Sequence, residues 1–98
     1  MNWKIPLFKI YWDKDDVDAV TSVIKSGANW ATGEHIEKLE KEVEKFLGVK
    51  YALSFSSGTA ALHALMIACG IQKGDEVIVP SFSFVATANA PLFVGAIP

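Results

Sequence analysis

Ser57-Gly58-Thr59 places two hydroxyls around a glycine, between the apolar run Tyr51-Ala52-Leu53-Ser54-Phe55 and an Ala- and Leu-rich stretch that ends at Gly70. Hydroxyls that donate hydrogen bonds, a glycine that admits close backbone approach and free amides at a helix start are what an anionic phosphate needs. The same residues also make an ordinary cap at a strand–helix junction, and the residue types leave both readings open. With one glycine the turn is not a dinucleotide fingerprint, and it lacks the Gly-Lys-Ser/Thr ending of a nucleoside-triphosphate loop. A second group, Pro80-Ser81-Phe82-Ser83-Phe84, sets two aromatic rings beside two hydroxyls. An aromatic face there can stack on a planar ring, or both rings can enter the core, which is the commoner fate of Phe. Thr87 and Asn89 either add polar contacts or satisfy local backbone groups. His63 has no carboxylate or nucleophile set beside it by the sequence, so a packing or solvent-edge role is expected of it.

These groups need elements to hold them. Residues 3–12 mix large apolar side chains with a proline and read as an extended arm that wants a partner surface. Asp13 is the expected N-cap of a helix running to about Ser26. Asp15, Asp16 and Asp18 sit near its positive end, Val17, Val20 and Ile24 share one face, and Gly27 closes it. After the turn-forming connector 28–33, in which Trp30 reads as structural, Thr32 is expected to cap a second helix. Ile36, Leu39, Val43 and Phe46 make its apolar stripe and Gly48 its end.

Tyr51–Phe55 then reads as a buried strand, Ala60–Cys69 as a buried helix, and Glu76-Val77-Ile78-Val79 as a second strand stopped by Pro80. A right-handed crossover with the two strands parallel is predicted, and parallel sheets place ligand sites beyond the carboxyl ends of their strands, where both chemical groups fall. A third apolar helix from about Val85 to Phe93, bent or interrupted near Pro91, leads into a further strand beginning around Gly95. The organisation expected is an arm (1–12), two helices (13–48) and a strand–helix–strand unit (49–98) within a single incomplete α/β domain.

Composition narrows the function classes. The 98 residues are 51% hydrophobic and 20% charged, which suits one soluble globular unit and not a disordered chain. A net charge of −2 with no arginine gives no footprint for nucleic acid. One cysteine, Cys69, excludes an internal disulfide and a cysteine-rich metal site and fits a reducing, cytoplasmic setting. No secretory signal and no apolar run of membrane-spanning length are visible, so neither a membrane nor a metal is expected as a partner.

Ser56-Ser57-Gly58-Thr59-Ala60-Ala61-Leu62-His63 and the run from Gly74 to Ala90, which includes Pro80-Ser81-Phe82-Ser83-Phe84 and Ala86-Thr87-Ala88-Asn89-Ala90, closely resemble the DegT-type aminotransferases. Thr32-Gly33 and the helix ending in Phe46-Leu47-Gly48-Val49-Lys50-Tyr51-Ala52 resemble the same family, so the likeness covers nearly the whole chain. It implies the N-terminal part of the large domain of a fold type I pyridoxal-phosphate-dependent transferase, with an incomplete, mostly parallel sheet and flanking helices. It also implies transfer of an amino group from an amino acid such as glutamate to a nucleotide-linked keto-sugar, in amino-sugar or cell-surface polysaccharide biosynthesis. Carried over by residue, Ser57, Gly58, Thr59 and Ala60 would hold the phosphate of pyridoxal 5'-phosphate and Phe84 would stack on its ring. Ser83 stands where the family commonly has Thr, which keeps the hydroxyl.

The family is several times longer than this chain, and none of the nine lysines here occupies the motif of its Schiff-base lysine. No catalytic residue is therefore assigned, and the isolated chain is expected to be inactive, with exposed sheet edges. A homodimer is implied for a full-length protein, with the apolar arm helping to cover the active site. Two other readings stand beside the aminotransferase: a sugar dehydratase of the same family, whose deciding position is not in this chain, and a non-catalytic phosphate-binding or regulatory module.

Overall fold

A computed structural model describes residues 4–5, 8–28 and 32–98. The parts of the expected arm at Met1, Asn2, Trp3, Pro6 and Leu7, and the connector residues Asn29, Trp30 and Ala31, lie outside the described residues. The chain forms two compact units, Met1–Lys38 and Leu39–Pro98.

In the first unit, α1 spans Lys14–Ser26. Asp13 is its N-cap, its carboxylate accepting from the amides of Asp15 at 2.9 Å and Asp16 at 3.3 Å. The Asp16 carboxylate in turn accepts from the Asp13 amide at 3.0 Å, so an aspartate does the work that a capping box usually gives to Glu or Gln. Gly27 closes the helix in the left-handed region at φ 68°, where a side chain would be strained. Lys14 and Asp18 pair one turn apart on the exposed surface. Val17, Val20 and Ile24 share the expected face but remain exposed, as do Phe8, Ile10, Tyr11 and Trp12.

α2 spans Glu34–Leu47. It begins one position later than a Thr32 cap requires, because the Gly33 carbonyl takes the first helical bonds, from Ile36 at 3.1 Å and Glu37 at 3.3 Å. Its last turn closes at Gly48, with the Val49 amide donating back to Glu44 at 3.1 Å.

In the second unit, α3 spans Gly58–Ala68 and α4 spans Ala86–Phe93, and the two helices pack against each other. α3 starts two residues before the expected Ala60 because Ser57 caps it, which draws Gly58 and Thr59 into the first helical turn. It stops through a paired closure, Gly70 donating to Ile67 and Ile71 to Met66, each at 3.0 Å. α4 runs through Pro91 without the expected interruption. Pro91 costs the helix one amide donor, yet the helix ends two residues later, and the Pro91 carbonyl accepts from Val94 at 3.1 Å and Ala96 at 3.0 Å. Among the described residues the buried apolar ones are small: Ala86, Ala90, Pro91 and Ala96.

The strand pairing differs from the expectation. Among the described residues no strand ladder forms between 51–55 and 76–79; the parallel contact is a single bridge between Glu76 and Ile97. Val77 donates to the Ile97 carbonyl and Ile97 to the Asp75 carbonyl, both at 2.8 Å. A crossover through α4 thus joins 76 to 97, where the sequence suggested one through α3. The hydrogen bonds of the two segments lead elsewhere. The Ser54 amide and hydroxyl donate to Glu40 Oε1 at 2.7 and 2.9 Å, and the Ala52 amide to Glu44 Oε1 at 3.3 Å. Amides two residues apart share one side of an extended chain, about 6.6 Å apart, and glutamates four apart on a helix are offset by about 6 Å. α2 therefore takes one edge of this segment. Next to the 76–97 bridge the Gly74 amide donates to the Gly95 carbonyl at 3.2 Å, so the two segments run together from 74 and 95 onward.

Candidate functional site

The Ser57 backbone is extended, with φ −161° and ψ 158°, and its Oγ accepts from the Ala60 amide at 3.1 Å. The capping reading of this turn is therefore real. It does not exhaust the donors: among the described residues the Gly58 and Thr59 amides have no hydrogen-bond partner, and an accepting hydroxyl keeps its own proton to donate. Ser57 and Gly58 are exposed, Thr59 and Ala60 half-buried.

Two further features bear on this helix start. α1 opens with Asp15 and Asp16 and α2 with Glu34 and Glu37, whereas the first turns of α3 and α4 carry no acid. No acid of its own first turn offsets the positive end of α3. Gly58, unlike Gly27 or Gly95, is not in the left-handed region, and a Cβ built on it would meet nothing within 4 Å. Neither backbone strain nor crowding within the chain calls for glycine there, and glycine weakens a helix relative to alanine. The space in front of it is open to a group from outside.

Phe84 lies in the turn before α4 and is 78% exposed; Phe82 is 99% exposed, so neither ring is core. α4 has no side-chain cap at Val85. The Thr87 amide donates to the Phe84 carbonyl at 3.0 Å, and the Thr87 and Ser83 hydroxyls are 2.9 Å apart. Of the two roles open to Thr87, satisfying its own turn is the one visible; Asn89 makes a backbone bond to Val85 at 3.0 Å. His63 stacks at 59° on Phe93 with ring centroids 5.3 Å apart, a packing contact between α3 and α4.

No hydrogen bond or ring contact joins the Ser57–Ala60 turn to Phe84 among the described residues. What relates them is the packing of α3 on α4, whose N-terminal ends carry one group each. An open groove of about 490 Å³ runs along Glu76–Val79, Ser81 and Ile97–Pro98 and contains none of the expected site residues; its position beside the single bridge marks it as an uncovered sheet edge. Among the described residues no cluster of His, Cys, Asp and Glu is arranged to hold a metal ion, and no helix is long and apolar enough to cross a membrane.

Sequence reasoning missed Glu40 and Glu44. Hydrogen bonds from the Ser54 amide and hydroxyl hold the Glu40 carboxyl below its usual range, and the neighbouring Lys41 adds to this. Glu44 is lowered chiefly by Lys41, 2.8 Å away, and Lys41 is raised in return. Their four-residue spacing is visible in the sequence, but they are two of five glutamates on α2, and nothing local says which backbone amides they reach.

The chain belongs to the DegT/DnrJ/EryC1/StrS aminotransferase family, which it matches over residues 11–98. It is 42% identical over 94 residues to GDP-perosamine synthase of Vibrio cholerae, covering 96% of this chain and 26% of that protein. It is 39% identical over 95 residues to UDP-4-amino-4-deoxy-L-arabinose--oxoglutarate aminotransferase of Shewanella sediminis, covering 96% and 24%. Its fold superposes with a TM-score of 0.81 at 32% identity on GDP-4-keto-6-deoxymannose-3-dehydratase with a trapped PLP-glutamate geminal diamine, over 93% of this chain and 25% of that one. The chain thus spans about a quarter of the length of the proteins it matches.

Proposed function

We propose that this chain is the cofactor-phosphate portion of a pyridoxal-phosphate-dependent aminotransferase that aminates a nucleotide-linked keto-sugar, with an amino acid, glutamate by preference, as donor. The observation that carries the reading is the α3 start: free amides at Gly58 and Thr59, no acid in the first turn, and a glycine that the chain itself does not need. These features fit a dianionic phosphate. Thr59 and Ser57 add hydroxyls, with Ala60 at the inner edge of the same turn, and Phe84 offers the exposed ring face that a planar pyridine requires. The cofactor, when bound, supplies an electron sink for labilising a bond at the amine-bearing carbon. This chain's part is to anchor the phosphate and hold the ring plane, which fixes the orientation of that bond.

The amine that would bind the cofactor covalently, and the groups that read the sugar, are assigned to sequence beyond this chain. The isolated 98 residues should therefore be inactive. A cytoplasmic homodimer belongs to the same proposal; the exposed Phe8, Ile10, Tyr11 and Trp12 are apolar surface of the kind a subunit contact covers. A second reading, a dehydratase acting on a similar sugar, is favoured by the structural likeness to a dehydratase that carries PLP-glutamate.

Both readings are tested by incubating the full-length protein with pyridoxal phosphate, glutamate and a panel of nucleotide-linked 3- and 4-keto-sugars. An amino-sugar product with stoichiometric 2-oxoglutarate supports the aminotransferase, and loss of a sugar hydroxyl without amine transfer supports the dehydratase. No cofactor binding at all would sink both.

A further inference from the structure

We propose that Thr87 and Ser83 are positioning residues for the Phe84 ring, fixing the turn that presents it; the proposal rests on the cofactor reading above and assigns these two hydroxyls a role in it. α3 begins with a serine cap, whereas α4 begins at Val85 with none. An uncapped start leaves the preceding residues free to fray, and Phe84 is one of them. Thr87 holds this start at two points. Its amide donates to the Phe84 carbonyl at 3.0 Å, and its Oγ1 lies 2.9 Å from Ser83 Oγ.

A helical threonine hydroxyl ordinarily bonds a backbone carbonyl three or four residues back. Here Thr87 reaches the side chain of the residue four back instead, and so clasps the turn on both sides of Phe84. The clasp stands on a fixed base. Ala86 and Ala90 are buried at 7% and 1% exposure, and the Ala88 and Asn89 amides both donate to the Val85 carbonyl, at 3.1 and 3.0 Å. The ring itself is 78% exposed and has no aromatic partner among the described residues, so its direction is set by the backbone turn. Removing either hydroxyl leaves that turn with the Thr87 amide bond and loosens the ring plane that the cofactor meets.

The full-length protein is used for the test, with two readouts: the dissociation constant for pyridoxal phosphate, and the induced circular dichroism of the bound cofactor, which reports ring orientation. Thr87→Val keeps the shape and removes the hydroxyl; Ser83→Ala removes its partner; Thr87→Ser restores a hydroxyl. The first two are expected to weaken cofactor binding about three- to tenfold, the net worth of one hydrogen bond, and to diminish the dichroic band, with the thermal midpoint of the cofactor-free protein unchanged. Thr87→Ser should behave as wild type, and the Ser83→Ala/Thr87→Val double variant should lose no more than either single one. Phe84→Ala separates the two levels of the reading. If it weakens binding while Thr87→Val and Ser83→Ala do not, the clasp is overturned and the stacking stands. If Phe84→Ala itself changes nothing, the stacking fails and the clasp with it. A Thr87→Val that lowers the cofactor-free midpoint while Ser83→Ala is silent also overturns the proposal, since Thr87 would then be only structural.

Discussion

The two helix starts of the second unit are built in opposite ways. At α3 a serine caps the helix and a glycine opens onto empty space. At α4 there is no cap, two hydroxyls bond each other across the turn, and an aromatic ring stands exposed. The first start leaves polar donors unspent; the second spends its polar groups internally and leaves apolar surface. Such a pair suits a ligand that is anionic at one end and flat at the other, and it separates what each residue does for binding from what it does for folding.

The sharpest break of this comparison is Gly58→Glu. A carboxylate at a helix start is favourable for the fold by up to about 1 kcal/mol. The same charge faces the proposed phosphate, and cofactor affinity should fall at least about 30-fold, read by titration beside a thermal melt of the cofactor-free protein. Unchanged affinity would remove the phosphate from α3. Phe84→Ala comes next: affinity should drop about two- to tenfold, the worth of an aromatic stack, with little change in stability because the ring is exposed.

Ser57→Ala should do the reverse. Losing the cap costs about 1 kcal/mol of stability, measured by denaturant unfolding, and its effect on affinity should follow only from that loss and from one hydroxyl donor. If stability holds while affinity collapses, Ser57 belongs to the ligand and not to the helix. The smallest effect concerns the carboxylate tie, which titrates where the two hydroxyl-built starts do not. Glu40 is lowered from its ordinary 4.5, so the stability it contributes is fully present above that value and is lost as the pH falls through its lower native value. Amide exchange at Ser54 should accelerate over that window, and Glu40→Gln should abolish the pH dependence; an unchanged pH dependence in that variant would remove Glu40 from the tie.

Much of this was legible in order along the chain. Asp13, Gly27, Gly48 and Gly70 mark helix ends because a cap or a left-handed residue is a local requirement, satisfied by atoms within one turn. Misplaced boundaries were local competitions as well. Gly33 took the start of α2 from Thr32, and Ser57 pulled Gly58 and Thr59 into α3. Pro91 does not interrupt α4, since a proline near the end of a short helix forfeits one bond and its buried ring returns packing.

Residue types and spacing by themselves determined the helices, the polar start at Ser57-Gly58-Thr59 and the aromatic turn at Phe84, because each depends on neighbours a few positions away. Tertiary structure decided which edges pair. The glutamates of α2 reach Ala52 and Ser54 across 8 and 14 residues, and Glu76 finds Ile97 and not the 51–55 segment. Edge pairing is a contact between residues far apart in the chain, and a pattern of apolar residues read along the chain does not specify the partner. The same holds for the α3 start: the residue types admit a cap and a phosphate turn as rivals, and the structure shows the Ser57 acceptor used for the cap while the amides of Gly58 and Thr59 have no partner among the described residues.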